Sequence, residues 1–174
     1  MRKKGQKTFA KSAQMQMSFG MIFSIILIVA FLAFAFFGIK TFLGIQNSAK
    51  SAKLASDLQA DIDKVWKSAQ SSEEKQYILP EKKSFACFVV FDSGVRGPKS
   101  GIYNELKRAD YGKENFVFYP VELGGGESFE IKHIALASIT QNENPFCISN
   151  INGKLKLKLL KDFDEDLVRI ERVG

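Results

Sequence analysis

The sequence predicts an α+β protein: a long N-terminal transmembrane and amphipathic helix, followed by a small, mostly antiparallel β-sheet domain. Three observations predict it. Residues 17–39 are apolar and uncharged, a helical apolar period continues beyond them, and after Pro80 the pattern becomes strand-like. A series of strands that follows a helix, instead of alternating with helices, is typical of the α+β class.

The apolar run 17–39 is long enough to form a membrane-spanning helix. At about 1.5 Å per residue, such a helix crosses a hydrocarbon core of roughly 30 Å. The run exceeds the roughly 7–15 residues of a signal-peptide core, and no small-residue cleavage site of the A-x-A kind follows it. We therefore expect an uncleaved signal anchor, with a cleaved secretory signal as the alternative.

The charge of the chain is concentrated before the apolar run. The net charge is +6, and most of it comes from Arg2, Lys3, Lys4, Lys7 and Lys11. The positive-inside rule then predicts a single-pass cell-membrane protein with a cytoplasmic N-terminus and its C-terminal domain outside. Because the rest of the chain is close to neutral, the basic tail is expected to meet membrane lipid, and no nucleic-acid partner is predicted.

These features divide the chain into four segments. They are a basic cytoplasmic tail (1–16), a transmembrane helix (17–39), an amphipathic helical stalk (40–76) and an extracytoplasmic β-rich domain (77–174). Apolar residues recur at helical spacing at Ala55, Leu58, Ile62, Val65 and Ala69, which predicts one helix from about 17 to about 70. The register is too short for a confident coiled coil, so we expect this face to pack on the chain's own domain.

Several strands are expected after Pro80. The near-continuous apolar run 84–91 is suited to a central strand, and segment 154–160 alternates strictly, so that one face is buried and one faces water. Asn152-Gly153 favours a hairpin turn. Further strands are predicted over 115–121, 129–139, 146–149 and 167–173, with one or two helical turns over 102–109.

Cys87 and Cys147 are the only two cysteines. An even number of cysteines in a domain outside the cytoplasm favours a disulfide, and two free core thiols are the alternative. Closing a loop of about 60 residues would stabilise the fold by roughly 4 kcal/mol in the chain-entropy model.

No residue pattern predicts catalysis. His133 is the only histidine, lies within a predicted strand, and is expected to be structural or solvent-facing. Asp162, Asp164 and Asp166 alternate like the first ligands of a calcium loop, but the glycine and the final acidic ligand of such a loop are missing. An acidic turn is the expected structure. We therefore predict a non-enzymatic protein with no catalytic residues, no cofactor and no metal.

The residues that lead into the apolar helix resemble a processing signal. Gln16 and Ser18 match the Q-x-S of the archaeal class III signal, so the chain resembles archaeal type IV pilin-like single-pass membrane proteins. Gly20 stands where that pattern has glutamate, and Met15 where it has glycine or alanine. In that family the glutamate is associated with subunit assembly. The resemblance implies a helix that mediates lateral assembly in the membrane or in a filament.

The expected function is a membrane-anchored, pilin-like or surface-associated subunit with an extracytoplasmic domain. The alternative is a single-pass anchored ectodomain that binds another envelope protein, and an anchored enzyme is the least favoured hypothesis. Membrane lipid is the expected partner, together with self-association or an envelope protein.

Overall fold

The computed structural model describes residues 19–110, 112–121 and 128–173 of the chain. It contains one long helix, α1 (Phe19–Trp66), and two short ones, α2 (Tyr103–Leu106) and α3 (Leu136–Ile139). The strands are β1 (Ser71–Ile78), β2 (Phe85–Phe88), β3 (Phe116–Tyr119), β4 (Ser128–Phe129), β5 (Phe146–Ser149), β6 (Lys154–Lys161) and β7 (Arg169–Arg172). The predicted α+β class is confirmed.

The chain divides into two compact units, which we call unit 1 (Met1–Phe42) and unit 2 (Leu43–Gly174). The described part of unit 1 is helical throughout, and all of its side chains are exposed. By length and composition α1 is apolar enough to cross a membrane, and a signal sequence near an N-terminus has the same features. The predicted basic tail 1–16 lies outside the described residues.

Unit 2 contains two antiparallel sheets, with strand orders β1-β6-β7 and β4-β3-β2-β5. The C-terminal turns of α1 share one hydrophobic core with the inner faces of both sheets. Leu58 and Ile62 of α1 are fully buried there, together with Phe88, Phe116 and Leu157 from the strands. Four residues of the apolar stripe predicted on the helix therefore pack on the chain's own domain, namely Ala55, Leu58, Ile62 and Val65. The fifth, Ala69, lies beyond the end of α1 and is exposed.

The two sheets differ in how many faces they bury. In the four-stranded sheet, Phe88 faces the core with α1, while Val117 lies in a second cluster with Tyr103 and Leu106. Burial on both faces explains the near-continuous apolar sequence of β2. In the three-stranded sheet, Leu155, Leu157 and Leu159 of β6 are buried and Lys154 on the opposite face is exposed, so this part of the strand alternates.

Helix α1 ends at Trp66, earlier than the predicted end near residue 70. The Nζ atom of Lys161 donates hydrogen bonds to the carbonyl oxygens of Trp66 and Ser68, at 2.6 and 3.0 Å. A lysine ammonium placed there satisfies carbonyls that the helix leaves unpaired and interacts favourably with the negative end of its dipole. Lys161 lies far along the chain in β6, so the local sequence gives no sign of this cap.

Residues 71–76 correct the predicted helical stalk (40–76), because they form most of strand β1. β1 pairs with β6 along its whole length, from Ser71 opposite Lys161 to Ile78 opposite Lys154. The inward-facing side chain of Lys75 pairs with the carboxylate of Asp61 in α1, with 2.9 Å between Nζ and Oδ1. A charged residue therefore stands at an inward position, where the alternation that identifies a strand would have an apolar residue. Residues 71–76 of the predicted stalk thus belong to the three-stranded sheet of unit 2.

The segment predicted as a strand over 129–139 is mostly not extended. Strand β4 ends at Phe129, and Leu136–Ile139 form the short helix α3. His133 has a φ of 62°, in the left-handed region, which interrupts an extended chain. The backbone N–H of Ala135 then bonds to the carbonyl of Val168. Apolar alternation in this segment therefore reflects packing of a turn and a helix.

Candidate functional site

The largest candidate functional surface is the apolar stretch of α1 in unit 1. Large side chains such as Phe31, Leu32 and Phe34 are exposed on every face of this helix. The hydroxyl of Ser24 donates to the carbonyl of Gly20 at 2.8 Å, so this polar group is satisfied within the helix. An all-round apolar helix of this kind requires lipid or protein around it.

The residues of the signal-like motif are only partly described. Gln16 and Ser18 lie outside the described residues. Gly20 is the second residue of α1 as described, and the first turn of the helix carries no acidic side chain. The position that carries glutamate in the resembled pattern therefore offers a backbone carbonyl and no carboxylate.

The two cysteines proposed as a disulfide lie directly opposite each other on neighbouring strands. Cys87 of β2 and Cys147 of β5 are paired in register, their sulfur atoms are 2.06 Å apart, and their Cα atoms are 4.0 Å apart. Both residues are buried against Tyr103 and Leu106. The bond links the middle of the four-stranded sheet to its β5 edge, and it leaves no free thiol in the chain.

The only histidine takes part in a cluster at the C-terminal end of α1. The His133 imidazole stacks on the Trp66 indole, with ring centroids 3.8 Å apart and planes 3° from parallel. Its Nδ1 atom lies 2.9 Å from Oδ1 of Asp63. The Gln59 amide donates to the same Oδ1 at 2.7 Å, and its oxygen accepts the backbone N–H of Lys132 at 2.8 Å.

This cluster fastens the loop before α3 to the helix. The hydrogen bond from His133 is the main cause that holds the pKa of the Asp63 carboxyl below its usual range. Trp66 also donates its indole N–H to the carbonyl of Asp166 at 3.0 Å, so the helix end is tied to a second loop. Asp63 and His133 pair as the acid and the histidine of a catalytic triad do. The imidazole contacts described above are with Asp63 and Trp66 of α1, so the pair serves to connect the loop to the helix.

The residues of this cluster were not predicted to come together. The available signal was that Asp63 and Trp66 lie three residues apart and share one side of a helix. The partner loop that contains His133 is folded back by its positive φ, which was not evident in a segment interpreted as a strand.

The acidic turn 162–166 is organised by an arginine. Arg169 contacts Oδ2 of Asp162 through Nη2 at 2.5 Å and Oε1 of Glu165 through Nε at 2.6 Å. The second oxygen of Glu165 accepts the backbone N–H of Asp162, and this bond is the main cause of the lowered Glu165 pKa. Among the described residues, no group of three or more His, Cys, Asp or Glu side chains is placed to hold a metal ion.

Two of the shallow cavities on unit 2 lie beside strands of the three-stranded sheet. One of about 410 Å³ lies beside α1 and β1 and is lined by Leu54 and Tyr77, among others. The other, of about 310 Å³, lies beside β7 and is lined by Arg169 and Arg172. The guanidinium of Arg172 in the second cavity is already engaged, because it pairs with both carboxylate oxygens of Glu143. Neither cavity gathers the nucleophile, acid and base that a reaction centre needs.

Comparison with protein-family models, curated proteins and solved structures finds no match for this chain. A function for it therefore rests on its own residues: the apolar helix, the buried disulfide and the exposed side chains of unit 2.

Proposed function

We propose that this chain is a non-enzymatic, membrane-anchored subunit, pilin-like or otherwise associated with the cell surface, with unit 2 outside the cytoplasm. One observation carries the proposal. A single helix, Phe19–Trp66, is exposed in unit 1, where residues 19–39 are uncharged and apolar except for Ser24, and it supplies the central buried face of unit 2. A chain that needed α1 only for its core would not require the apolar part.

Two features of different kinds support the orientation. The cationic residues before the apolar run favour a cytoplasmic N-terminus. The Cys87–Cys147 bond lies in unit 2, and disulfides persist in oxidising compartments outside the cytoplasm. The two arguments are independent, because one rests on the tail and the other on the folded unit.

The anchor is tested by placing charges in the apolar helix. In the variant Ile28→Lys/Leu32→Lys, each lysine costs about 2.5–3.5 kcal/mol near the centre of a membrane helix. We expect the wild-type chain to stay in the membrane pellet after alkaline carbonate extraction and the variant to be released or degraded. Phe163→Lys, on the exposed acidic turn, is the matched control and should remain in the pellet. Release of the wild-type chain would contradict the anchor.

The orientation is tested with protease added to intact cells. Unit 2 should be digested from outside while a fragment with the basic tail remains protected. Under non-reducing conditions, Cys87 and Cys147 should resist a thiol-reactive polymer until a reductant is added. Protection of unit 2 in intact cells, together with reactive thiols, would place it in the cytoplasm and overturn this part of the proposal.

If the chain is pilin-like, its mature N-terminus should be produced by proteolytic processing. Processing near Gln16 would remove the basic tail and leave the apolar helix at the start of the chain. N-terminal sequencing of the protein from its native host decides this. An intact Met1 would remove the processed-pilin form and leave a permanently anchored subunit, whereas a processed chain recovered in surface filaments would support assembly.

An anchored ectodomain that binds another envelope protein is the second candidate function. The observation that favours it is Phe163, which is 82% exposed at the tip of the acidic turn, with Leu167 also exposed nearby. A photo-crosslinking residue at position 163 should form a discrete adduct in intact cells. The same residue at Glu74, exposed on the outer face of β1, is the control. Equal crosslinking at both positions would count against a specific partner.

A further inference from the structure

One end of unit 2 combines exposed apolar side chains with lysines. We call it the hairpin end and define it as residues 78–83 and 150–154. Ile78, the last residue of β1, is 79% exposed, and Ile151 in the adjoining turn is 52% exposed. The two isoleucines lie close together, because Ile78 is paired with Lys154 and Ile151 forms a bridge to the same residue.

The hairpin end is held firmly in place. Asn152 and Gly153 have φ values of 55° and 77°, so both central residues of the turn are left-handed, as a tight hairpin turn requires. The side chain of Asn150 accepts the N–H of Gly153 at 2.7 Å and donates to the carbonyl of Lys83 at 2.8 Å. Ile151 is thus presented to solvent by a turn whose own polar groups are paired.

The hairpin end lies where α1 begins in unit 2. Lys50 of the helix donates to Glu81 at 3.0 Å, which joins the helix directly to this end. In the helical turns before Lys50, Leu43 and Ile45 are exposed as well. Phe163 lies at the opposite end of the same sheet, because β6 runs from Lys154 towards it and is 8 residues long. At about 3.4 Å per residue, the two ends are roughly 24 Å apart.

Cations outnumber acids around these isoleucines. The described charged residues at and beside the hairpin end are the acids Asp57 and Glu81 and the lysines Lys50, Lys53, Lys82, Lys83, Lys154 and Lys156. Lys83 is buried and donates to the carbonyl of Pro120 at 2.8 Å, so it is not one of the exposed cations. Both acids are already paired, Glu81 with Lys50 and Asp57 with Lys53. Lys82 and Lys154 are exposed next to the apolar tip.

We propose that the hairpin end rests on the surface of the bilayer that holds α1, with Ile78 and Ile151 at the headgroup boundary and Lys82 and Lys154 on anionic lipid headgroups. The inference rests on the proposed membrane anchor. Apolar tips flanked by lysines have the composition of interfacial membrane contacts, and lysines close to an anionic surface are attracted to it. Chain continuity favours lipid as the occupant, because the apolar helix precedes Leu43 directly.

The test uses the full chain in vesicles of equal parts phosphatidylcholine and phosphatidylglycerol. The variants Ile151→Cys and Phe163→Cys are labelled with an environment-sensitive NBD fluorophore without reductant, so that the native disulfide stays closed. We expect the label at 151 to emit at shorter wavelength and to react with dithionite several-fold more slowly than the label at 163. The difference should shrink in phosphatidylcholine vesicles and in the Lys82→Glu/Lys154→Glu variant.

The outcomes separate this inference from the anchor itself. A chain that floats with the vesicles and resists carbonate, yet reacts equally at 151 and 163, overturns the hairpin contact and leaves the anchor intact. A chain that does not float overturns both. Protection at 151 that disappears when the protein is diluted in the same lipid would identify a contact between two copies of the chain and overturn the lipid assignment.

Discussion

The imidazole of His133 lies flat on the indole of Trp66, with 3.8 Å between ring centroids. Each is the only residue of its kind in the chain. The stacked pair closes a loop onto the last turn of α1, on the side of the helix where Asp63 accepts a hydrogen bond from the same imidazole. The fluorescence of Trp66 can therefore be used to follow the contact between this loop and α1.

Trp66 fluorescence should report the contact with His133. The imidazole covers one face of the indole, with 3.8 Å between ring centroids, so its removal should let water reach that face. We expect His133→Asn, whose side chain tolerates the left-handed backbone of this position, to shift the emission of Trp66 to longer wavelength. Lys132→Ala, at the exposed neighbouring position, is the control and should leave the emission unchanged. Equal shifts in the two variants would show that disturbance of the loop, and not loss of the stacked ring, is responsible.

Asp63 should make the folded state more sensitive to acid. Its pKa is lowered in the folded protein, chiefly by the hydrogen bond with His133 and also by the one from Gln59. A depressed carboxyl pKa contributes stability that is present above the unfolded pKa and is lost as the pH falls through the folded one. Because the pair is partly exposed to solvent, we expect Asp63→Asn to cost at most about 1 kcal/mol at pH 7.

That difference should vanish in acid. Urea unfolding of both proteins in detergent, followed by near-UV circular dichroism, should give free energies of unfolding that converge as the pH falls below the ordinary range of a carboxyl, because the carboxyl then becomes protonated in the folded state as well. Asp164→Asn on the exposed acidic turn is the matched control, and it should change the free energy little at either pH. An Asp63→Asn deficit that persisted in acid would mean that shape, not charge, is responsible.

The disulfide should account for a large part of the stability of unit 2. Cys87 and Cys147 are separated by 60 positions, and cross-linking a loop of that length stabilises by about 4 kcal/mol in the chain-entropy model. Cys87→Ala/Cys147→Ala should lower the free energy of unfolding by about that amount. Either single variant should cost about the same, since each breaks the same bond. A loss below about 1 kcal/mol would show that the unfolded chain gains little freedom.

The strands that were predictable are those whose burial is visible in their own residues. Segment 146–149 coincides with β5, and the alternating run 154–160 lies within β6, because apolar side chains there mark the buried positions. The disulfide was also predictable as a candidate, since a chain with two cysteines offers one pairing. These features could be predicted because they depend on residue types that are visible in the sequence itself.

Strand β1 was not predictable, because two of its inward positions carry charged residues that find partners on α1. Lys75 meets Asp61, and Glu73 meets Lys64 at 3.1 Å. No window of the sequence shows that the partners of these charges lie on a helix that precedes the strand. The stacked pair of Trp66 and His133 was hidden for the same reason, since the two residues are brought together only by the fold.

Asn144 should be among the least replaceable polar residues of unit 2. It is fully buried, its Oδ1 atom accepts the N–H of Val90 at 3.0 Å, and its Nδ2 atom donates to the carbonyl of Val90 at 2.9 Å. The same Nδ2 also reaches Ser93 and Gly94, so one amide organises the turn that follows β2. These backbone groups would lose their partner together if the amide were removed.

The variant Asn144→Asp tests this role, because it keeps the shape of the side chain and replaces its donor with an acceptor. A buried carboxylate would face the carbonyls of Val90 and Gly94, so we expect a loss of about 3 kcal/mol at pH 7. Burial favours the protonated acid, which can donate again, so the loss should shrink as the pH is lowered. Asn142→Asp changes the same group at an exposed neighbouring position and should stay within about 0.5 kcal/mol of wild type. The free energies of unfolding are measured by urea unfolding of the full chain in detergent. Similar losses in the two variants would refute the role assigned to Asn144, because the added negative charge alone would then explain both losses.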